Sequence, residues 1–194
     1  MRLFIAIDLP GDVSDSLARV RAQFESSAGP PGFNSTLRWS APEGWHVTLQ
    51  FLGQVNEERA ACVLDHLKTI HAPPVPIHID GLGFFDRAGV FWAGVVLTPE
   101  LLALQQLVTA AMRPCGFVPE DRPYSPHITL ARAKARSGAR ALAPLKRVLD
   151  KSTQKEKTVR ATFTAQEFLL YESIPGPEGS RYEIRARFPL GARR

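Results

Sequence analysis

Cysteine is almost absent: Cys62 and Cys115 are the only two in 194 residues, and they form no CxxC pair. That scarcity excludes a disulfide-dense scaffold and offers no zinc-ligand spacing, so reduced thiols in a cytoplasmic protein with no metal are expected. No apolar run approaches the ~18–20 residues that would span a bilayer, so no membrane partner is expected. The opening Met-Arg-Leu-Phe-Ile-Ala-Ile-Asp is too short an apolar stretch for a secretory leader and ends in an acid. Low-complexity tracts and long flexible linkers are missing as well. What is present is an ordinary globular mixture, 44% hydrophobic and 22% charged, with length enough to bury a core as one domain over 1–194.

The net charge of +5 is unevenly placed. Residues 132–160 carry Arg132, Lys134, Arg136, Arg140, Lys146, Arg147, Lys151, Lys155, Lys157 and Arg160 against only Asp150 and Glu156. The rest of the chain is slightly acidic. A basic segment on a near-neutral body suits a polyanion such as nucleic acid, and it equally suits a solvated helix face.

Elements follow from periodicity and punctuation. Arg2–Asp8 reads as a strand, and Pro10 or Asp12 opens a helix reaching about Ser27. Ser35–Ser40 is a short strand, and Trp45–Leu52 alternates, with His46, Thr48 and Gln50 on one face and Val47, Leu49 and Phe51 on the other. Asn56 caps a helix to about His71. Val75–Phe85 and Val90–Leu97 form a hairpin across Asp86–Gly89, and Pro99 starts a helix ending near Cys115. Pro126–Arg132 is a strand, Ala139–Lys151 a basic helix, and Val159–Ser173 with Arg181–Pro189 a closing hairpin. Turns this short between neighbouring strands require largely antiparallel sheets in an α+β fold.

One tetrapeptide recurs. His46-Val47-Thr48-Leu49 returns as His127-Ile128-Thr129-Leu130. Residues i and i+2 of a strand share a face, so each imidazole stands beside a threonine hydroxyl while the apolar partners hold the core. Two such strands side by side would gather two imidazoles and two hydroxyls around one cleft. Imidazole moves protons near neutral pH, and a hydroxyl can donate to a phosphoryl oxygen. A single His-x-Thr is usually a hydrogen-bonded strand histidine; the matched pair points to a catalytic groove. His66, His71 and His78 lack repeated context and read as structural.

These residues resemble the 2H phosphoesterases, and within them the RNA 2′,3′-cyclic phosphodiesterases, formerly called 2′-5′ RNA ligases. The resemblance rests on Arg2-Leu3-Phe4-Ile5-Ala6-Ile7-Asp8-Leu9-Pro10, Trp45–Gly53, Pro126–Arg132 and Leu170-Tyr171-Glu172-Ser173, and so spans nearly the whole chain. It implies two similar lobes of antiparallel sheet backed by helices around a central groove, each lobe supplying one motif. It implies hydrolysis of an RNA or nucleotide 2′,3′-cyclic phosphate to a 2′-phosphomonoester, without cofactor or metal, by a monomer. His46 would protonate the departing O3′, His127 would activate water, and Thr48 and Thr129 would hold phosphate oxygens.

Arg132 matches a family arginine that contacts phosphate. A flat strand would turn it onto the Ile128/Leu130 face, so that role requires a bulge or a strand end. Phe51, Trp45 and Tyr124 flank the motifs as candidates for stacking on a base, with Phe51 alternating onto the core face; Trp92 reads as core. Two alternatives stand beside hydrolysis: reversible 2′-5′ ligation of RNA ends, and an RNA-binding module without turnover. A cyclic phosphodiesterase for a small nucleotide differs from the leading reading mainly in groove width and charge.

Overall fold

Strand β1 (Arg2–Asp8) is buried over five successive residues, as suits a strand paired on both sides and covered on both faces. It lies inside a four-stranded sheet ordered β3-β1-β8-β9, with β3 at His46–Gln54, β8 at Glu167–Gly176 and β9 at Gly179–Pro189. A second sheet is ordered β2-β6-β5-β4-β7. Its strands are β2 (Leu37–Trp39), β4 (Val75–Phe85), β5 (Val90–Val95), β6 (His127–Ala133) and β7 (Arg160–Ala165). This is a computed structural model, and it describes residues 1–27, 36–134, 138–151, 159–176 and 179–191. The pairings between described strands are antiparallel. One motif strand therefore belongs to each sheet, as the resemblance implies.

Among the described residues four α-helices complete the fold: α1 (Gly11–Ser27), α2 (Glu57–Leu67), α3 (Pro99–Met112) and α4 (Ala143–Lys151). Their apolar stripes, such as Val13, Leu17 and Phe24 of α1 and Leu101, Leu104 and Val108 of α3, join Val47 and Leu49 of β3 and Ile128 and Leu130 of β6 in one continuous core. Burying these side chains is worth about 1.5–3 kcal/mol each before conformational entropy is charged. The motif strands are thus anchored from the side opposite their histidines. No helix among the described residues is long and apolar enough to cross a membrane.

Three expectations change. Val159–Ser173 is two strands: Ala165 pairs with Val75 in the second sheet, and Glu167 pairs with Pro189 in the first. The chain crosses between sheets at Gln166 with no glycine or proline to announce it. Helix α2, expected to reach His71, ends at Leu67, where the Thr69 hydroxyl donates to the His66 carbonyl at 2.7 Å. Its start is as expected, with Asn56 Oδ1 accepting from the Arg59 amide at 2.9 Å.

The third change concerns cysteine. Cys62 on α2 and Cys115 after α3 are joined in a disulfide, 53 residues apart, where reduced thiols were expected. Packing of α2 against α3 brings their Cα atoms to 5.8 Å, within bridging reach. Cysteine usage therefore gives no argument for a reducing compartment. His66 Nδ1 donates to the Cys62 carbonyl at 3.0 Å and lies 3.6 Å from both sulfurs.

Candidate active site

Both motif strands carry a bulge at the same place. In the β1–β3 pairing Ile5 faces Gln50 and Ala6 faces Thr48, so Leu49 has no partner. In the β5–β6 pairing Phe91 faces Ala131 and Trp92 faces Thr129, so Leu130 has none. The unpaired residue is the leucine of each His-apolar-Thr-Leu. A bulge resets the alternation beyond it, and the residues five positions after each histidine feel the effect. Arg132 comes round to the histidine face, where its Nη2 lies 3.4 Å from Thr129 Oγ1. Phe51 also comes out of the core: it is 56% exposed, against the packing expected from unbroken alternation.

The two imidazoles are held in the same way. His46 Nδ1 meets the Gly44 carbonyl at 2.8 Å, and His127 Nδ1 meets the Ser125 carbonyl at 2.9 Å. A carbonyl only accepts, so Nδ1 carries the hydrogen in both rings. Nε2 of each ring is left to take or give the proton that matters. Each histidine thus sits at the first residue of its strand, oriented by the backbone two residues earlier.

Rings pack around both. His46 lies 4.7 Å from Phe4, 5.2 Å edge-on from Tyr182 and 6.0 Å from Tyr171. Phe4, Ala6, Leu169 and Tyr171 form a small apolar cluster on this face of the first sheet, apart from the main core. Across the groove, Phe85 meets His127 edge-on at 4.8 Å and lies 5.2 Å from Trp92. Trp92, expected in the core, is half-buried on the histidine face opposite Thr129. Its indole lies flat over Gly83, where a Cβ would come within 2.3 Å of the ring.

This surround sets the proton affinities. Burial, the neighbouring His127 and the Arg132 cation depress His46 to about 4, overcoming the opposing Gly44 hydrogen bond. His127 is lowered by the same burial and by Arg132, against the Ser125 bond. Both rings are therefore neutral at pH 7 in the free protein, and both sense one arginine. Arg132 acts on both rings, and His127 acts on His46 directly as well.

Tyr124 sits between the motifs, but its hydroxyl donates to the Thr48 carbonyl at 2.9 Å. It ties the segment before β6 to the backbone of β3, and its ring packs on the core. Trp45 is only 2% exposed, so it cannot stack on a base. Phe4, Phe85, Tyr171 and Tyr182 were not singled out from the sequence as site residues. The usable signal was the bulge, which only the cross-strand register reveals. His66 lies against the disulfide, and His71 and His78 are exposed. Among the described residues, Cys62, His66 and Cys115 are the group whose ligand atoms gather within 4.8 Å. With the sulfurs bonded to each other, one imidazole remains to offer a metal.

The basic segment is partly neutralised. Lys146 pairs with Asp86 at 2.6 Å beside the Phe84 ring, and Arg160 pairs with Asp80 at 3.5 Å. Arg136, Lys155 and Lys157 lie outside the described residues.

The chain matches the model of a family described as LigT like Phosphoesterase over residues 7–92 and 96–182. A protein of Archaeoglobus fulgidus named RNA 2′,3′-cyclic phosphodiesterase is 28% identical over 94% of this chain and 97% of its own. A protein of the same name from Aeropyrum pernix is 35% identical over 69% of this chain and 73% of its own. Among solved structures, Escherichia coli LigT complexed with 3′-AMP superposes with a TM-score of 0.76 at 27% identity, covering 98% of both chains.

Proposed function

The chain belongs to the LigT-like phosphoesterase family, and on that footing we propose that it is an RNA 2′,3′-cyclic phosphodiesterase whose two His-x-Thr motifs open the cyclic phosphate to a 2′-phosphomonoester. The observation that carries the reading is the matched pair of Nδ1-anchored imidazoles, one from each lobe, with Arg132 acting on both. Proteins of that activity match over most of the chain, and a nucleoside monophosphate occupies the similar E. coli structure.

Opening of the ring is an in-line displacement. Water attacks phosphorus, the P–O3′ bond breaks, and O2′ keeps the phosphate. One imidazole Nε2 takes the water proton, and the other, as imidazolium, gives one to O3′. Thr48, Thr129 and Arg132 hold the non-bridging oxygens where charge builds up. The free groove holds both rings neutral, so the acid must gain its proton as the phosphodiester anion binds. An anion screened from water beside an imidazole raises that ring's pKa. His46 is the more strongly depressed ring, so its use as the acid depends most on that bound charge.

No step requires a metal, since base, acid and cation are side chains. The test is to incubate the protein in EDTA with an oligonucleotide ending in a 2′,3′-cyclic phosphate. A 2′-phosphomonoester product at an undiminished rate is expected. A 3′-phosphomonoester, or loss of turnover with chelator, contradicts the reading.

A further inference from the structure

Arg132 has a second arginine beside it. In the pairing of β2 with β6, Arg38 stands directly opposite Arg132. Leu37 is buried, and Trp39 meets Phe91 of the core edge-on, so Arg38 between them points to the histidine face. Like charges placed directly opposite on a sheet are unfavourable; burial lowers the proton affinity of Arg132 most, Tyr182 opposes it, and the Arg38 cation adds to the lowering. Among the described residues, no carboxylate forms an ion pair with either. An arrangement that costs energy empty is offset when anions occupy it.

The two arginines do not reach the same place. Arg132 is turned toward Thr129 and the histidines. The Arg38 stem lies along the far end of the first sheet, with its Cδ and Nε 3.4 and 3.8 Å from where a Cβ on Gly179 would stand. Gly179 has a positive φ of 139°, a conformation that favours glycine, and Arg38 lies at van der Waals distance from it. Opposed residues of an antiparallel pair stand about 4.5–5.5 Å apart at Cα. Long stems diverging from that spacing suit consecutive phosphates of one strand better than one phosphate held twice.

Resting on the cyclic phosphodiesterase reading, we propose that Arg38 forms a second anion subsite that binds the phosphate on the 5′ side of the terminal nucleotide. The groove would then read a 5′-phosphorylated or chain-linked nucleotide rather than a free nucleoside cyclic phosphate. A guanidinium is suited to this, as a fork of donors that stays charged at any working pH.

The test compares adenosine 2′,5′-bisphosphate with adenosine 2′-monophosphate, binding to the wild type and to Arg38→Gln. The wild type should bind the bisphosphate on the order of tenfold more tightly or better. Arg38→Gln should lose that preference, bind the monophosphate within about twofold of the wild type, and show a salt slope shallower by about one for the bisphosphate. Equal weakening for both ligands would place Arg38 on the reacting phosphate and overturn the proposal. An unchanged preference, or a wild type with none, would overturn it too. Turnover of an oligonucleotide ending in a 2′,3′-cyclic phosphate by the wild type is read alongside. Its absence counts against the enzymatic reading, while the two affinities still decide the subsite.

Discussion

His46→Ala and His127→Ala should each lower kcat/KM on a cyclic-phosphate RNA end by roughly 10²–10⁴-fold, the range over which one positioned proton donor or acceptor contributes. The double variant should be little worse than the poorer single one, because acid and base act on one displacement and neither works well alone. The structure sharpens what each substitution removes. Each ring is held by one backbone carbonyl at 2.8–2.9 Å and by a neighbouring aromatic ring, so the backbone of its strand should survive. Equal thermal midpoints beside a large kinetic loss are the expected signature. Near-full turnover by either variant would remove that histidine from the chemistry.

Arg132→Gln is expected to cost about 10²–10³-fold, comparable to removing a donor aimed at developing oxyanion charge. It should also move the pH profile in a direction fixed by the site. The Arg132 cation lowers both imidazoles. Without it both proton affinities rise, so both limbs of the bell in kcat/KM should shift to higher pH. The acid limb, set in the wild type near 4 if His46 is the group that must lose its proton, should rise with the other. A rate loss with fixed limbs would mean that Arg132 holds phosphate without tuning the histidines. The same variant leaves Arg38 without its opposed charge, so its stability should not fall.

How much of this was legible in the sequence depends on how local each signal was. Asn56, Pro99 and the repeated His-apolar-Thr-Leu marked a helix start, a second helix start and the two motif strands, because each acts within a few residues. Alternation placed His46, Thr48, His127 and Thr129 on one face for the same reason. It failed for Phe51 immediately beyond the unpaired Leu49. For Arg132 the need for a bulge could be stated, but its position at Leu130 is a property of the pairing with β5. Long-range features were silent. The crossing at Gln166, the meeting of Cys62 with Cys115 and the opposition of Arg38 to Arg132 each join segments far apart in the chain.

The basic segment 132–160 suits a polyanion, and within it Lys146 is engaged with Asp86, on the turn following Phe85. That contact supports the hairpin whose Phe85 flanks His127. Among the described residues, Arg38 and Arg132 stand opposite each other with no carboxylate ion pair, one from the acidic remainder of the chain and one at the segment's first residue. Where a charge points mattered more than how many lie nearby.

The central claim is that one anion is held between two imidazoles contributed by opposite lobes. Its most direct test is an NMR titration of the His46 and His127 rings, with and without adenosine 2′-monophosphate. The ligand should raise both proton affinities together from their depressed free values, His46 starting from about 4. A ligand that binds while moving only one ring, or neither, would contradict it.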